Sequence, residues 1–406
     1  MKYLLLIFYI TCLTLKGMTQ NWLPVFQDTL ADNSTEIWFD AGAQYNGNSL
    51  HRNLVSKLFY GGEITNEIKE QNLNRMKNVN LFYSDIQSEV SYRNTKSNFF
   101  RNKRLGWSLK LGAASYLTSN FSKDAFHLAF FGNAPFAGQV ADISGSRIQN
   151  YTFEKIGFGL IDKRSSSSVH FNFVNLTNYT DFHAYFGGVF QSEELDTLQV
   201  LLNGKFRQFG DGKFSSGAGA SFDLDKRLYV LKNNGQPLFF RLELNNIGVV
   251  RASSSQSFRA DTLIQFTGFT FNEMIYGTSL LDSTQTLLQK LGIEERQESS
   301  WVLLPFSIQL SKMVNSSSNA LFQEFYGARM VYLSDIQIFA GVDFKVPLKG
   351  KINWHVGTNI SYGGSANVMF GNYSHLSSGK WSLGMVSENL LLQSGESFKF
   401  KLQCAF

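Results

Sequence analysis

Stretches of ten or more residues in which every second side chain is apolar recur along this chain, and few folds can use them. IQIFAGVDFKVP sets Ile336, Ile338, Ala340, Val342, Phe344 and Val346 against Gln337, Gly341, Asp343 and Lys345. KINWHVGTNISY, RLGWSLKLGAASYL and SVHFNFVN repeat the pattern around Trp354, Trp107 and Phe171. A strand points successive side chains to opposite faces, so each stretch reads as a strand with one greasy face and one polar face. Such lengths exceed the five or six residues usual in soluble sheets. They match the ~9–11 residues that cross a bilayer at a tilt. After Gln20 no apolar run approaches the ~18 residues that would argue a spanning helix. Aromatics make up 15% of the chain, with 38 Phe, while only 17% is charged. A barrel wall facing lipid, with interfacial girdles of aromatic residues, uses that composition.

Both ends agree with a membrane barrel. MKYLLLIFYITCLTLKGMTQ has Lys2, an apolar run from Tyr3 to about Leu15, and small residues at Gly17 and Thr19, the layout of a secretory signal peptide over residues 1–19. At the other end SFKFKLQCAF alternates Phe398, Phe400, Leu402, Cys404 and Phe406 with Lys399, Lys401, Gln403 and Ala405. A closed barrel must pair its last strand with its first, because lipid supplies no hydrogen bonds to an open edge. The expected greasy face looks to lipid and the lysine face to the lumen. Removal of the signal leaves Cys404 as the lone cysteine, so no internal disulfide or thiolate metal cluster is available. A net charge of +5 without a concentrated basic run does not suggest nucleic acid.

Connections look like hairpins. Asp211-Gly212 and Asn234-Gly235 are tight-turn pairs, and turns are also expected at Ser334-Asp335 and Lys349-Gly350. One strand plus one turn per 22–25 residues, roughly, yields about 14 strands, within 12 to 16, and an even number is expected. The fold class is all-β: a single antiparallel transmembrane barrel. Three stretches depart from period two and read as short helices in loops or lumen: about Glu63 to Asn78, Lys123 to Phe131 with Ser122 as N-cap and Gly132 as stop, and a segment from Asn272 to Arg296 carrying Leu287, Leu288 and Leu291. The organisation is then a signal peptide at 1–19, an N-terminal segment at 20–78 with a first strand and an amphipathic helix, and the rest of the barrel at 79–406.

LAFFGNAPFAGQ (Leu128 to Gln139), YTFEKIGFGL (Tyr151 to Leu160), LELNNIGVVRA (Leu242 to Ala252) and WVLLPFSIQLS (Trp301 to Ser311) occur in that order. The series resembles a family of Bacteroidota outer-membrane barrels defined only as a domain of unknown function. In style it is similar to the PorV and PorP/SprF barrels of type IX secretion and gliding, and to FadL-type barrels. The resemblance implies an outer-membrane location and partner proteins of the cell envelope. A final strand with alternating aromatics and a terminal Phe also looks like the signal read by the outer-membrane insertion machinery, on Phe398, Phe400, Leu402 and Phe406. The Asn-Pro start of those relatives is absent after Gln20, where the chain reads NWLPVFQD, so no hatch is carried over.

Chemistry is sparse. The six histidines form no His-x-x-x-His pair with a Glu, and no Cys/His spacing suits zinc. There is no Gly-x-Ser-x-Gly elbow, and the glycine-rich pieces open no helix in a phosphate-binding frame. No cofactor is expected. His375 and Ser377 in HLS faintly resemble the pair of His/Ser deacylase barrels. The remaining signal is charge on polar strand faces: Lys110, Arg207, Arg241, Glu243, Arg329, Asp343, Lys345 and His355, expected as a lumenal network. A non-catalytic envelope component working with partners is the leading function. Its rivals are a channel or transporter for hydrophobic or small solutes, and a membrane-embedded hydrolase with a Ser/His/acid cluster at one rim.

Overall fold

The last strand closes on the first long one. In the computed structural model, which describes residues 25–26, 34–210, 214–231, 237–266, 293–315, 320–332, 334–348, 350, 352–389 and 395–406, β2 (Thr35–Gly47) pairs with β18 (Gly395–Ala405) in antiparallel register from Glu36↔Ala405 to Asn46↔Gly395. Phe406 adds a backbone hydrogen bond from its N–H to the Thr35 carbonyl at 2.8 Å. Between them run β3 (Asn80–Asn94), β4 (Leu105–Phe121), β5 (Val140–Asp142), β6 (Arg147–Asp162), β7 (Ser168–Gln191), β8 (Leu198–Phe209), β9 (Gly217–Leu231) and β10 (Pro237–Phe266). β11 (Ile293–Leu303), β12 (Ser307–Asn315), β13 (Phe322–Val331), β14 (Gln337–Val346), β15 (Ile352–Gly363), β16 (Ala366–Ser378) and β17 (Trp381–Ser387) complete the ring. The two-residue β1 (Val25–Phe26) lies parallel to β12.

The strand count depends on two interruptions. β8 and β9 follow one another along the same edge of β7, with Phe209 opposite Tyr179 and Gly217 opposite Leu176. Both also pair with β10. The expected Asp211-Gly212 hairpin lies outside the described residues, but the strands on either side of it run in the same direction. β11 and β12 likewise share one edge of β10, broken at Leu304-Pro305-Phe306. Proline has no N–H for a ladder, so it falls at a break or an edge. Leaving aside the three-residue β5, which extends β6 along the same edge of β7, counting each interrupted pair as one stave gives fourteen, and counting them apart gives sixteen. The Asn234-Gly235 turn also lies outside the described residues, yet its flanks pair as a hairpin, Leu231 opposite Pro237.

Outward and inward faces follow the sequence alternation. On β14, Val342 is 53% exposed while Asp343, one residue on, is fully buried. Leu109, Leu111, Ile156, Phe158, Phe171 and Phe173 stand exposed on neighbouring strands, with Leu111 opposite Ile156 and Phe158 opposite Phe171. On β18 and at Phe406 just after it, Phe398, Leu402 and Phe406 are exposed and Ser397, Lys399, Gln403 and Ala405 are buried. A continuous apolar outer surface of this kind is stable only against hydrocarbon. The barrel is transmembrane.

Both described ends of the ring, Thr35 and Phe406, lie at one mouth, where connections such as 163–167 and 379–380 are short. At the opposite mouth the connections 48–79 and 122–146 are long and carry helices. α1 (Arg52–Tyr60) and α2 (Asn66–Leu73) lie in the first, α3 (Lys123–Phe131) in the second. α3 has the expected limits: Ser122 Oγ accepts from the Ala125 N–H at 2.9 Å, and Gly132 ends it at φ 78°. That dihedral suits glycine because no Cβ collides there. α2 is shorter than the Glu63–Asn78 expectation, and α1 was not foreseen. Of the third expected helix, residues 272–292 lie outside the described set, and Ile293 to Arg296 belong to β11. Of the two settings expected for these helices, loop or lumen, α1, α2 and α3 occupy loops. α1 and α3 pack on the outer wall, where Leu54, Val55 and Phe126 cover Tyr45 and Phe82. Tyr45 and Phe82 share the outward phase of Ile37 on β2 and Tyr92 on β3, so the barrel's outer surface supplies the apolar face these helices need.

Replacing Val342 by Arg should cost about 2–4 kcal/mol if it sits near the bilayer midplane, while Val342→Leu should stay within about 0.5 kcal/mol of wild type. Urea unfolding from lipid vesicles, followed by tryptophan fluorescence, measures both. Equal stability of the Arg variant would reverse the face assignment.

Candidate functional site

Two layers stand out among the inward positions of the described residues. The first is charged. Lys110 Nζ stands 3.0 Å from Glu89 and 3.6 Å from Asp223, and Lys155 Nζ stands 3.2 Å and 3.1 Å from the same carboxylates. Beside this quartet Arg241 donates to both oxygens of Asp225 at 2.9 and 3.0 Å and reaches Glu243 at 2.9 Å. Lys401 Nζ and the Arg93 guanidinium lie 3.9 and 4.0 Å from the centre of the Trp38 ring, within cation–π range. The space left among these groups amounts to about 70 Å³, room for a few waters.

Glycine makes the layer possible. Gly157 and Gly159 take inward positions on β6, where a Cβ would fall 2.0 Å from Asn172 Oδ1 and 2.2 Å from His170 Cδ2. The GFG of the glycine-rich motif therefore opens space for two polar side chains of β7. His170 Nε2 uses that space to meet Ser108 Oγ at 2.7 Å.

The second layer is aromatic. Tyr116, Tyr151, Tyr179 and Phe209 fall in one cross-strand row over β4, β6, β7 and β8. They join Phe153, Leu176, Val250, Val302 and Leu304 in one buried cluster. Two hydrogen bonds tie distant staves together through the lumen: Tyr151 Oη to Tyr332 Oη at 3.3 Å, and Asn246 Nδ2 to Tyr116 Oη at 3.2 Å. Asn246 adopts φ 57°, where the ladder between β9 and β10 shifts register. That bulge re-aims the side chain inward, which accounts for the Asn-Asn-Ile-Gly motif.

The expected polar residues divide among these and further groups. Lys110, Arg241 and Glu243 stand in the charged layer. Arg207 donates to Asp181 at 2.5 Å, and Arg147 joins the same carboxylate at 3.1 Å. Asp343 and His355 form a separate buried pair, Nδ1 to Oδ2 2.8 Å, with the Tyr373 hydroxyl on the second carboxylate oxygen. Lys345 is half-buried, opposite His355 in the ladder. Arg329 forms two bonds to Glu388, at 2.9 and 2.6 Å, and also donates to Gln337. Sequence reading missed Glu388, Asp223, Asp225 and Lys155. Asp223 and Asp225 sit on the inward phase of GAGASFDLDK, a signal that alternation alone could have supplied.

The Ser and His residues that could suggest hydrolysis are buried. Ser108 and His170, with Asp223 opposite His170 on the next strand, have the residue types of a dyad with its acid. Ser108, however, has no exposed surface, so an ester has no approach to its hydroxyl. His375 and Ser377 are both buried on β16. Among the described residues no group of His, Cys, Asp and Glu could hold a metal ion.

No protein-family model and no curated protein sequence matches the chain. Among solved structures it is similar to the translocator domain of the autotransporter NalP from Neisseria meningitidis, at 7% identity over 92% of this chain and 88% of that one, with a TM-score of 0.32. It is also similar to the beta domain of the Bordetella autotransporter BrkA, at 8% identity, 92% and 100% coverage and a TM-score of 0.31. A mutant of the monoaromatic hydrocarbon channel TodX matches at 8% identity, 96% of each chain and a TM-score of 0.31. The barrel assignment rests on the strand ring itself.

Breaking one partner of a buried pair leaves a charge without compensation. Arg329→Met should therefore cost about 3–5 kcal/mol, and Arg329→Met with Glu388→Met should recover a large part of that loss. Chemical unfolding of the three proteins in lipid vesicles checks both, and a double variant no better than the single would contradict the pairing.

Proposed function

We propose that the chain is a non-catalytic, non-conducting outer-membrane barrel that acts as an envelope component with partner proteins. The observation that carries this reading is the filled lumen: a charged layer with about 70 Å³ to spare, and beside it an aromatic layer bonded through the interior at Tyr151 and Tyr332. Solutes need a continuous polar path or an apolar passage, and neither layer offers one among the described residues. Short connections at the mouth that holds Thr35 and Phe406, and long ones opposite, follow the pattern of outer-membrane barrels with short periplasmic turns. In this reading Thr35 and Phe406 face the periplasm and α1–α3 face outward. The setting we favour is a type IX secretion or gliding apparatus, supported by the order of the four motifs from LAFFGNAPFAGQ to WVLLPFSIQLS. Assembly would use the terminal strand, whose exposed Phe398, Leu402 and Phe406 remain available to the insertion machinery as the barrel closes.

The full chain purified in mild detergent and reconstituted in planar bilayers should give no steady conductance, and pull-down from solubilised outer membrane should bring down envelope proteins in fixed ratio. Sustained open-channel current, or recovery of the barrel alone, would overturn the proposal. Current would favour the transporter.

A further inference from the structure

The helices on the outer wall leave a gap beneath them. Between α1 and α3 lies a cleft of about 740 Å³, within the roughly 300–1,000 Å³ range of small-molecule sites. Its floor is one cross-strand row of outward residues: Phe82 on β3 faces Ser119 on β4, Ser119 faces Ile148 on β6, and Ile148 faces Phe182 on β7. Leu54 and Leu58 of α1 form one side, Phe126 and Phe130 of α3 the other. Polar groups are few: Ser119, Asn120 and Ser146. Asn120 already donates to the Gly145 carbonyl at 2.9 Å. The lining is otherwise carbon.

Two observations choose the occupant. The first is place. The cleft lies on the lipid-facing side of the wall, and the outward line of β3 continues from Phe82 through Ile86 and Val90 to Tyr92. Leu117 on β4 likewise leads down toward exposed Leu111 and Leu109. At its margin α1 exposes Leu58, Phe59 and Tyr60, the last at 81%. The second is chemistry. A peptide inserted here would bring N–H and C=O groups that must be paired, and the lining has almost nothing to pair them. A hydrocarbon chain carries no such groups and loses nothing on entry. We propose that the cleft is a lipid site that takes an acyl chain of a membrane lipid from the surrounding leaflet, with α1 and α3 lying at the interface as amphipathic helices do.

The test uses the full chain in nanodiscs of dimyristoylphosphatidylcholine doped with a phosphatidylcholine that carries a diazirine on one acyl chain. After illumination, adducts are mapped by mass spectrometry. Adducts at Leu109, Leu111 or Ile156 report the lipid belt and show that the barrel is inserted. Adducts at Leu117, Phe130 or Ile148 report the cleft. Ala129→Trp on the exposed side of α3 should fill the cleft, cutting its adducts by roughly fivefold or more through steric exclusion and leaving belt adducts and heat-modifiable migration unchanged. Belt adducts with none in the cleft would overturn the proposal, as would cleft adducts indifferent to Ala129→Trp. Since the belt signal is independent of the cleft, failure here is distinct from failure of the non-conducting reading.

Discussion

Everything in this molecule depends on pairing the main chain where no water can do it. An unpaired N–H or C=O in hydrocarbon costs several kcal/mol, and an eleven-residue strand left open would carry a row of them. β18 meets this by pairing with β2 from Glu36 to Asn46, and Phe406 adds its own N–H to Thr35. The chain therefore stays in strand from Gly395 through Ala405. Once the ring closes, the twofold period assigns each side chain to lipid or lumen, and the outer face has no choice but to be apolar.

Closure creates the second problem, the inside. Inward groups lie out of bulk solvent, so charges there must be matched and polar groups bonded. The chain answers with Lys110 and Lys155 shared between Glu89 and Asp223, with Arg241 on Asp225, and with Arg329 on Glu388. Glycines at 157 and 159 give up their own volume for Asn172 and His170. Tyrosines fill the next level and bond one another through the interior. The same closure leaves an apolar exterior on which α1–α3 can dock, so a surface imposed by the bilayer becomes part of a small core outside the barrel.

Much of this was legible in the sequence because lipid enforces it locally. The outward residues of β14 and β18 stand out by period two, and α3 is bracketed by a serine cap and a glycine stop. α1 begins at His51, whose Nδ1 accepts from the Asn53 N–H; histidine is a less familiar cap than Ser122, and the start was missed. The side on which the helices dock was not legible either, since an apolar helix face fits a lumen or an outer wall equally. β8 and β9, on either side of the Asp211-Gly212 pair, are held in line by β7 and β10, and that pairing is set by the ring and not by local sequence. In the lumen, alternation shows which charges point inward but not which pair. Arg329 and Glu388 are 59 residues apart and Tyr151 and Tyr332 are 181 apart, so register around the whole ring decides the partners.

The account stands on the register of the closing seam. Ile37 faces Cys404 across it, on the outward side. With Ile37→Cys, mild oxidation of the assembled barrel should join residues 37 and 404, which a non-reducing gel reads as a compact circular form that disappears with reductant. Phe39→Cys, displaced by two residues along β2, should stay largely unlinked, because diagonal neighbours lie about 7–8 Å apart, beyond disulfide reach. Linkage through position 39, or through neither, would mean that β18 does not close on β2 as described.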